Sequence, residues 1–218
     1  MGCRTLVNAG LTLAGLILCI LGPAASAAGG AAAEATIRIL ALGDSLTAGY
    51  GLPAEDSFPA KLQAALRARG VPAEVINAGV SGDTTAGGRA RLDWSLASKP
   101  RFAIVELGAN DGLRGIAPEE TRANLDAILA RFGKAGVGVL LAGMYAPPNL
   151  GREYGGAFNR IFPELARAHG AALYPFFLEG VAARPALLQS DGLHPNAKGV
   201  EVIVGRMVPA VERLLAGD

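Results

Sequence analysis

The chain has 218 residues, of which 51% are hydrophobic and 18% are charged. That length suits one globular domain with a substantial core and is too short to suggest a second. Its 20 lysines and arginines nearly balance 19 aspartates and glutamates, which excludes the strong basic charge of proteins that bind nucleic acids or anionic membranes.

The N-terminal segment has the pattern of a secretory signal peptide. Arg4 supplies a positive flank, the apolar run at 9–22 is short for a membrane span, and "ASA" (25–27) offers small residues for cleavage. We therefore predict a signal peptide over residues 1–27, with cleavage after Ala27. The protein is then expected to be secreted or periplasmic.

The signal peptide is followed by a predicted flexible lead-in over residues 28–35 and a single domain over 36–218. A retained membrane anchor is the second interpretation of the N-terminal segment. A lipoprotein anchor is the third, weakened by the bulky Leu18 before Cys19.

The cysteines add no support for export, because Cys3 and Cys19 both lie within the segment to be removed. The mature chain would have neither a thiol nor a disulfide. With no cysteine and two histidines it predicts no structural zinc site, and we predict no cofactor.

Beyond residue 35, short apolar runs alternate with amphipathic segments. The apolar runs predict five strands, at 36–42, 73–78, 102–107, 138–144 and 171–174. The segments between and after them predict helices at 58–70, 86–99, 118–136, 158–170 and 197–215. This alternation predicts an α/β fold whose parallel sheet is covered on both faces, with active groups at the carboxyl ends of the strands.

Four segments combine glycine with Ser, Asn, Asp or His at these strand ends or before the last helix. They are "GDSLTAGYG" (43–51), "NAGVSGDTT" (77–85), "GANDGLRG" (108–115) and "SDGLHPNAKG" (190–199). Taken singly, each has a structural interpretation, since Ser and Asp cap helices and Asn and Gly form turns. Together they contain every part of a hydrolytic serine site, with Ser45 as the candidate nucleophile.

The candidate base is His194, because it lies in a non-helical turn three residues after Asp191 and before Pro195. A turn of that length can bring the carboxylate to Nδ1 of the imidazole and leave Nε2 facing a serine. The other histidine, His169, ends a predicted helix before a glycine, where a cation satisfies free carbonyls, and is interpreted as structural.

The nucleophile segment does not fit the elbow of the α/β-hydrolase fold. In the G-x-S-x-G pattern Thr47 stands at the second glycine, so that fold is disfavoured. Asp44 and Asp111 are assigned to positioning the loops, because a further ionised carboxylate beside an oxyanion would oppose catalysis.

These four segments, in this order, resemble the GDSL or SGNH hydrolases, most closely the branch of bacterial acyl-CoA thioesterases, lysophospholipases and arylesterases. The resemblance implies a flavodoxin-like three-layer α/β/α fold with a five-stranded parallel sheet in the order 2-1-3-4-5. It also implies a catalytic triad of Ser45, Asp191 and His194, and an oxyanion hole formed by the Ser45 amide, Gly79 and Asn110.

The segment after Asn110 matches a switch loop that closes over bound acyl chains in the resembling thioesterases. The implied substrate-binding residues are Gly112, Leu113, Arg114, Gly115, Ile116 and Ala117. Apolar residues expected around the cleft are Leu113, Ile116, Tyr145 and Phe176, although any of them could belong to the core.

The sequence therefore predicts an exported serine hydrolase that cleaves carboxylic esters and thioesters through an acyl-enzyme. A carbohydrate O-acetylesterase on the same fold is the main alternative, and a noncatalytic binding protein is a further one. The predicted partner is a small acyl ester or thioester, with no nucleic acid and no stable membrane anchor after signal cleavage. Acyl chain length, the alcohol or thiol part and the oligomeric state are left open.

Overall fold

The computed structural model describes residues 1–3, 5–6, 8–10 and 36–217. The predicted signal peptide and lead-in lie almost wholly outside these residues, and both stay predictions. The described residues among the first ten are exposed and have no regular secondary structure. Within the described ranges, no helix combines the length and apolar character needed to cross a membrane.

The centre of residues 36–217 is a sheet of five parallel strands. They are β1 (Ile37–Gly43), β2 (Ala73–Gly79), β3 (Phe102–Glu106), β4 (Gly138–Ala142) and β5 (Ala172–Tyr174). Their order across the sheet is β2-β1-β3-β4-β5, with every neighbouring pair parallel. All five residues of β3 are buried, as expected for the central strand of a sheet covered on both faces. The predicted three-layer α/β/α fold and its strand order are confirmed.

Between residues 36 and 217, eight α-helices connect and cover the strands. They are α1 (Ser45–Ala48), α2 (Phe58–Ala68), α3 (Thr85–Ala90), α4 (Leu92–Leu96), α5 (Ala109–Leu113), α6 (Pro118–Lys134), α7 (Gly151–His169) and α8 (Ala197–Ala216). Helix α2 packs against α8, while α3 and α7 both pack against α6. These two groups form the outer layers, and each buries its apolar side on the sheet.

Two predicted helices differ from the structure. The predicted helix at 86–99 is divided into α3 and α4 at Arg91, whose guanidinium turns back to the sheet. The predicted helix at 158–170 begins seven residues earlier, at Gly151. Glycines at 155 and 156 disfavour a helix there, but Tyr154 stacks on Phe158 with ring centroids 5.8 Å apart. Tertiary packing therefore outweighs the local propensity.

The strand order places the candidate segments beside one another. Strand β1 lies between β2 and β3, so the chain leaves β1 toward one side of the sheet and returns to β3 on the other. The crevice at the carboxyl ends of such diverging strands is the usual ligand site in open α/β sheets. Here the segments after β1, β2 and β3 meet at this crevice.

Candidate active site

Ser45 is the first residue of α1, directly after β1 ends at Gly43. The helix is capped by Asp44 and not by Ser45, because the Asp44 Oδ1 accepts a hydrogen bond from the Leu46 N–H at 3.0 Å. The Ser45 hydroxyl is therefore free of a capping role. It faces a cavity that is lined by residues from the other candidate segments.

The structure brings Ser45, His194 and Asp191 together. The His194 Nε2 lies 2.9 Å from the Ser45 Oγ, and the His194 Nδ1 lies 2.6 Å from the Asp191 Oδ2. The hydroxyl and the imidazole come from residues 149 positions apart. The Tyr50 ring lies against the imidazole, with centroids 4.7 Å apart, and so restricts its rotation. This arrangement has the geometry of a nucleophile, a base and a group that orients the base.

Asp191 is held as an anion by the turn that carries it. Its Oδ1 accepts hydrogen bonds from the backbone N–H groups of Leu193 at 2.9 Å and His194 at 3.0 Å. The bond from Leu193, followed by that from the His194 ring, lowers the pKa of Asp191 from 3.8 to about 2. This carboxylate therefore stays ionised through mildly acidic pH, where it can stabilise a charged imidazole.

His169 lies away from this site. It is the last residue of α7, and its Nε2 is 2.7 Å from the Asp126 Oδ1 on α6. This contact joins two neighbouring helices, so its position agrees with a structural role.

The structure does not place Gly79 at the cavity. Gly79 is the last residue of β2, paired with Gly43 of β1, and its N–H donates to the Asn77 Oδ1 at 2.9 Å. A Cβ at Gly79 would lie 2.2 Å from the Ala48 N, so the glycine is explained by close packing against α1. Its backbone donor is thus already used within the protein.

Gly82, in contrast, lines the cavity. The Asp83 N–H donates to the Val80 carbonyl at 3.1 Å, which closes a tight turn, and Gly82 in that turn has φ +85°. A positive φ at the third position of such a turn favours glycine. Among the described residues, neither the Gly82 N–H nor the Ser45 N–H has a protein acceptor. These two backbone donors are available to a ligand.

Asn110 also lines the cavity, from the first turn of α5. Its Nδ2 donates to the Asp83 carbonyl at 2.9 Å and to the Asp44 Oδ2 at 3.1 Å. These bonds hold the amide between the segments after β1 and β2. The same amide hydrogens would have to be shared with any ligand oxygen.

Two further side chains fix the segments around this site. Arg91 donates to the carbonyls of Gly43 and Ala78 at 2.8 Å and 2.7 Å, and pairs with Asp83 at 2.6 Å. The buried Asp111 accepts from the Thr85 N–H at 2.9 Å. Asp111 therefore joins α5 to α3, as expected of a loop-positioning carboxylate. Arg91 was not predicted, because a lone arginine in a helical segment resembles a solvated one.

The cavity has a volume of about 400 Å³ and a largely apolar wall. The polar side chains that line it include those of Ser45, Ser81, Asn110 and His194. Apolar and aromatic side chains make up much of the rest: Tyr50, Leu113, Met144, Tyr145, Phe176 and Leu178. Tyr145 and Phe176 stack with centroids 4.5 Å apart. A wall of this kind suits the apolar part of a small ligand.

Of the six predicted substrate-binding residues, Leu113 lines the cavity, and it is 55% exposed. The cavity in this structure is not lined by Gly112, Gly115 or Ala117.

The same segment is held in place by two hydrogen bonds. The carbonyl of Ile116 accepts from the Tyr154 hydroxyl at 2.7 Å. Arg114 donates to the Gly82 carbonyl at 2.8 Å, which connects this segment to the turn beside the cavity. The role of the segment in binding substrate stays a prediction.

The family follows from comparison with known proteins. The GDSL-like lipase/acylhydrolase family matches residues 41–202, which include all the segments described above. The chain belongs to this family. The predicted resemblance and the predicted class, a hydrolase of carboxylic esters and thioesters, are thereby confirmed.

Individual relatives support the same family assignment. The chain is 43% identical over 167 residues to an arylesterase of Vibrio mimicus, covering 76% of this chain and 84% of the relative. It is 40% identical over 187 residues to thioesterase 1/protease 1/lysophospholipase L1 of Escherichia coli K12, covering 85% and 88%. The crystal structure of AlinE4, an SGNH-hydrolase family esterase, matches at 53% identity and a TM-score of 0.70, covering 83% and 97%.

Proposed function

We propose that the protein hydrolyses acyl esters and thioesters through a covalent acyl-enzyme formed on Ser45. The observation that carries this proposal is the contact of His194 Nε2 with the Ser45 Oγ while Asp191 holds Nδ1. With Asp191 accepting from Nδ1, the neutral ring has its lone pair on Nε2. His194 takes the serine proton as Oγ attacks the acyl carbon, and returns it to the leaving alcohol or thiol. Water then repeats the attack on the acyl-enzyme, with His194 again as base.

The tetrahedral intermediates carry a negative oxygen that needs fixed donors. We assign these donors to the backbone N–H groups of Ser45 and Gly82 and to the Asn110 amide. Gly82 takes the place expected of Gly79, because it lines the cavity with an unused N–H whereas the Gly79 N–H is bound to Asn77. Asn110 shares with the oxyanion a hydrogen that it otherwise gives to Asp44 or Asp83.

The apolar wall of the cavity favours an acyl chain or aryl group over a sugar. A carbohydrate ester would leave hydroxyl groups against Leu113, Tyr145 and Phe176, where few partners for them exist. The names of the relatives point the same way, as they include an arylesterase and a lysophospholipase. We therefore propose lipid and aryl esters as substrates in preference to acetylated carbohydrates.

The proposal also includes export of the protein from the cytoplasm. The pattern of residues 1–27 supports a cleaved signal peptide, and the enzyme would then act in the periplasm or outside the cell. Acyl-CoA is scarce there, so the thioester activity would be secondary to hydrolysis of oxygen esters. Sequencing the N-terminus of exported protein tests this, with Ala28 expected as the first residue and Met1 contradicting it.

The nucleophile is tested with a fluorophosphonate probe on wild type, Ser45→Ala and Ser81→Ala. Ser81 is a matched control, because it is a serine that lines the same cavity. We expect labelling and esterase activity to disappear in Ser45→Ala and to persist in Ser81→Ala, with all three proteins folded. Labelling of the Ser45→Ala protein would place the nucleophile elsewhere.

The substrate class is tested with purified mature protein on p-nitrophenyl esters of increasing chain length, a lysophospholipid, an acyl-CoA and an acetylated sugar. The proposal predicts larger kcat/KM for medium acyl chains and aryl esters than for the sugar acetate. A clear preference for the acetylated sugar would favour the carbohydrate O-acetylesterase alternative.

A further inference from the structure

Glu106 is a buried carboxyl group that the mechanism above does not use. It is the last residue of β3 and is 0% exposed, although it follows four apolar residues in its strand. Its Oε2 accepts from the Thr47 hydroxyl at 2.7 Å and from the Asp44 N–H at 3.4 Å. Among the described residues, no N–H or hydroxyl group donates to its buried Oε1. One polar atom is thus unexplained beside the nucleophile turn.

A second buried carboxyl group faces Glu106. Asp44 is also 0% exposed, and it accepts from the Leu46 N–H through Oδ1 and from the Asn110 amide through Oδ2. The two residues are in contact, because the Glu106 Oε2 accepts from the Asp44 N–H, and their carboxyl groups interact electrostatically. Within residues 36–217, neither carboxyl group forms a salt bridge. Arg91, which contacts the carbonyl of Gly43 next to Asp44, pairs instead with Asp83.

Two buried carboxylates in contact, with no cation bound to either, cannot both be ionised without a large cost in desolvation and repulsion. One proton therefore remains on the pair. Both Asp44 oxygens already accept hydrogen bonds, which favour its ionised form, whereas the Glu106 Oε1 has no donor facing it. The proton thus belongs on Glu106.

We propose that Glu106 is a positioning residue that is protonated at Oε1 in the active enzyme and donates a hydrogen bond to the Asp44 carboxylate. The role in catalysis rests on the proposed function, because Asp44 in turn holds the Asn110 amide that is assigned to the oxyanion hole. Through Oε2, Glu106 also holds Thr47 on the helix that begins with Ser45. A single neutral acid thereby fixes two of the segments that form the site.

The electrostatics of the pair agree with this assignment. Burial, followed by repulsion from Asp44, raises the pKa of Glu106 well above 4.5. Burial raises the pKa of Asp44 from 3.8 to about 6, against the hydrogen bond from the Leu46 N–H and the charge of His194, which both lower it. Both shifts favour a proton on the pair, and the hydrogen bonds to both Asp44 oxygens place that proton on Glu106. A neutral Glu106 also keeps a second negative charge away from the developing oxyanion.

The close packing around Glu106 gives the pair little room to rearrange. A Cβ at Gly43 would lie 2.7 Å from the Glu106 Oε2 and 2.0 Å from the Thr47 Oγ1. The glycine before Asp44 is therefore explained by the approach of these two side chains. Movement of Glu106 would have to displace the nucleophile turn itself.

The protonation state is tested by infrared spectroscopy of the full domain at neutral pH with isotope-labelled glutamate. We expect the carbonyl band of a protonated carboxylic acid that shifts with glutamate labelling and is absent in Glu106→Gln. Wild type without such a band, or a band that shifts only with labelled aspartate, would overturn the proposal. This readout needs no substrate, so failure of the proposed hydrolase activity would leave it interpretable.

The positioning role is tested by comparing Glu106→Gln with Glu106→Leu. The glutamine can accept from Thr47 and donate to Asp44, so we expect its kcat within about threefold of wild type. The leucine can do neither, and we expect kcat to fall by roughly tenfold or more with KM within about twofold, because binding of the acyl group is unchanged. If Glu106→Gln lost as much kcat as Glu106→Leu, the neutral-donor role would be wrong. Should the leucine variant fail to fold, the infrared band and the glutamine variant decide the question together.

Discussion

The Gln189 side chain donates from Nε2 to the backbone carbonyl of Tyr50 at 2.7 Å, which ties the segment before His194 to the segment after Ser45. The same Nε2 donates to the Pro195 carbonyl at 3.0 Å, and the Gln189 backbone N–H donates to the His194 carbonyl at 2.7 Å. A single residue thus holds both segments that meet at the proposed triad. The distance between the Ser45 hydroxyl and the His194 ring depends on this contact as well as on the sheet.

We therefore expect Gln189→Ala to reduce kcat by roughly 10- to 100-fold with a smaller change in KM, because misplacing reacting groups by about 1 Å carries such a cost. Gln63→Ala is the control, since it removes one side-chain hydrogen bond, which the Gln63 Oε1 accepts from the Val75 N–H, at a residue that does not line the cavity. Steady-state kinetics and thermal unfolding of both variants separate the two effects. Equal losses of kcat in the two variants would contradict a specific role for Gln189.

For Asn110→Ala we expect a loss of about 100- to 1,000-fold in kcat, as for removal of other single oxyanion donors. KM is expected to change less, because the interaction forms only in the transition state. The measurement is steady-state kinetics on a p-nitrophenyl ester. An unchanged kcat would remove Asn110 from the oxyanion hole.

The assignment of Gly82 is checked by a crystal structure of the Ser45 adduct with an alkyl phosphonate. The phosphonyl oxygen stands in for the oxyanion, and we expect the backbone nitrogens of Gly82 and Ser45 within about 3 Å of it. The Gly79 N–H should remain bound to Asn77. A phosphonyl oxygen bound to the Gly79 nitrogen would restore the sequence-based prediction.

The acyl group is expected to contact Leu113 more than Ile116. If each added methylene is buried at about 0.8 kcal/mol, kcat/KM rises by roughly fourfold per carbon until the cavity is full. Leu113→Ala should flatten this rise for long chains and leave acetyl esters nearly unchanged. Ile116→Ala is the matched control with a smaller expected effect, because Ile116 does not line the cavity. A series of p-nitrophenyl esters on all three proteins tests this, and flattening by Ile116→Ala alone would instead support closure of the loop over substrate.

The shifted pKa values of Asp44 and Asp191 predict opposite effects of pH on stability, each in its own pH range. The pKa of Asp44 is about 6 in the folded protein against its usual 3.8, so the folded state binds more protons between these values. The free energy of unfolding should therefore fall as pH rises from about 4 to about 6. The pKa of Asp191 is about 2, so its stabilisation is present above its usual 3.8 and is lost as pH falls toward 2.

Urea unfolding across this pH range tests both effects. Asp44→Asn should remove the fall above pH 4, because it removes the group whose raised pKa causes that fall. Asp191→Asn should remove only the change at lower pH. A wild-type stability that rises steadily between pH 4 and 6 would contradict the raised pKa of Asp44.

The sequence determined those features that depend on local chain geometry or on a repeated pattern. Alternating apolar and amphipathic segments specify parallel strands joined by helices, and the resemblance of four motifs added the strand order that the structure shows. Asp191 and His194 are three residues apart in one turn, so their contact could be expected from spacing alone. Ser45 is then the candidate hydroxyl for a base of this kind to activate.

Only the tertiary structure decided which of several similar residues reach the site. Gly79 and Gly82 lie in the same segment, but Gly79 is still part of β2. The glycine that lines the cavity is therefore Gly82, three residues later. The contact of Thr47 with Glu106 joins residues 59 positions apart and exists because β1 and β3 are neighbours in register. Along the chain, Glu106 is simply a charged residue at the end of an apolar strand. The proposed role of Glu106 depends on its burial beside a second carboxyl group, that of Asp44. This burial results from packing between segments that are distant in the sequence.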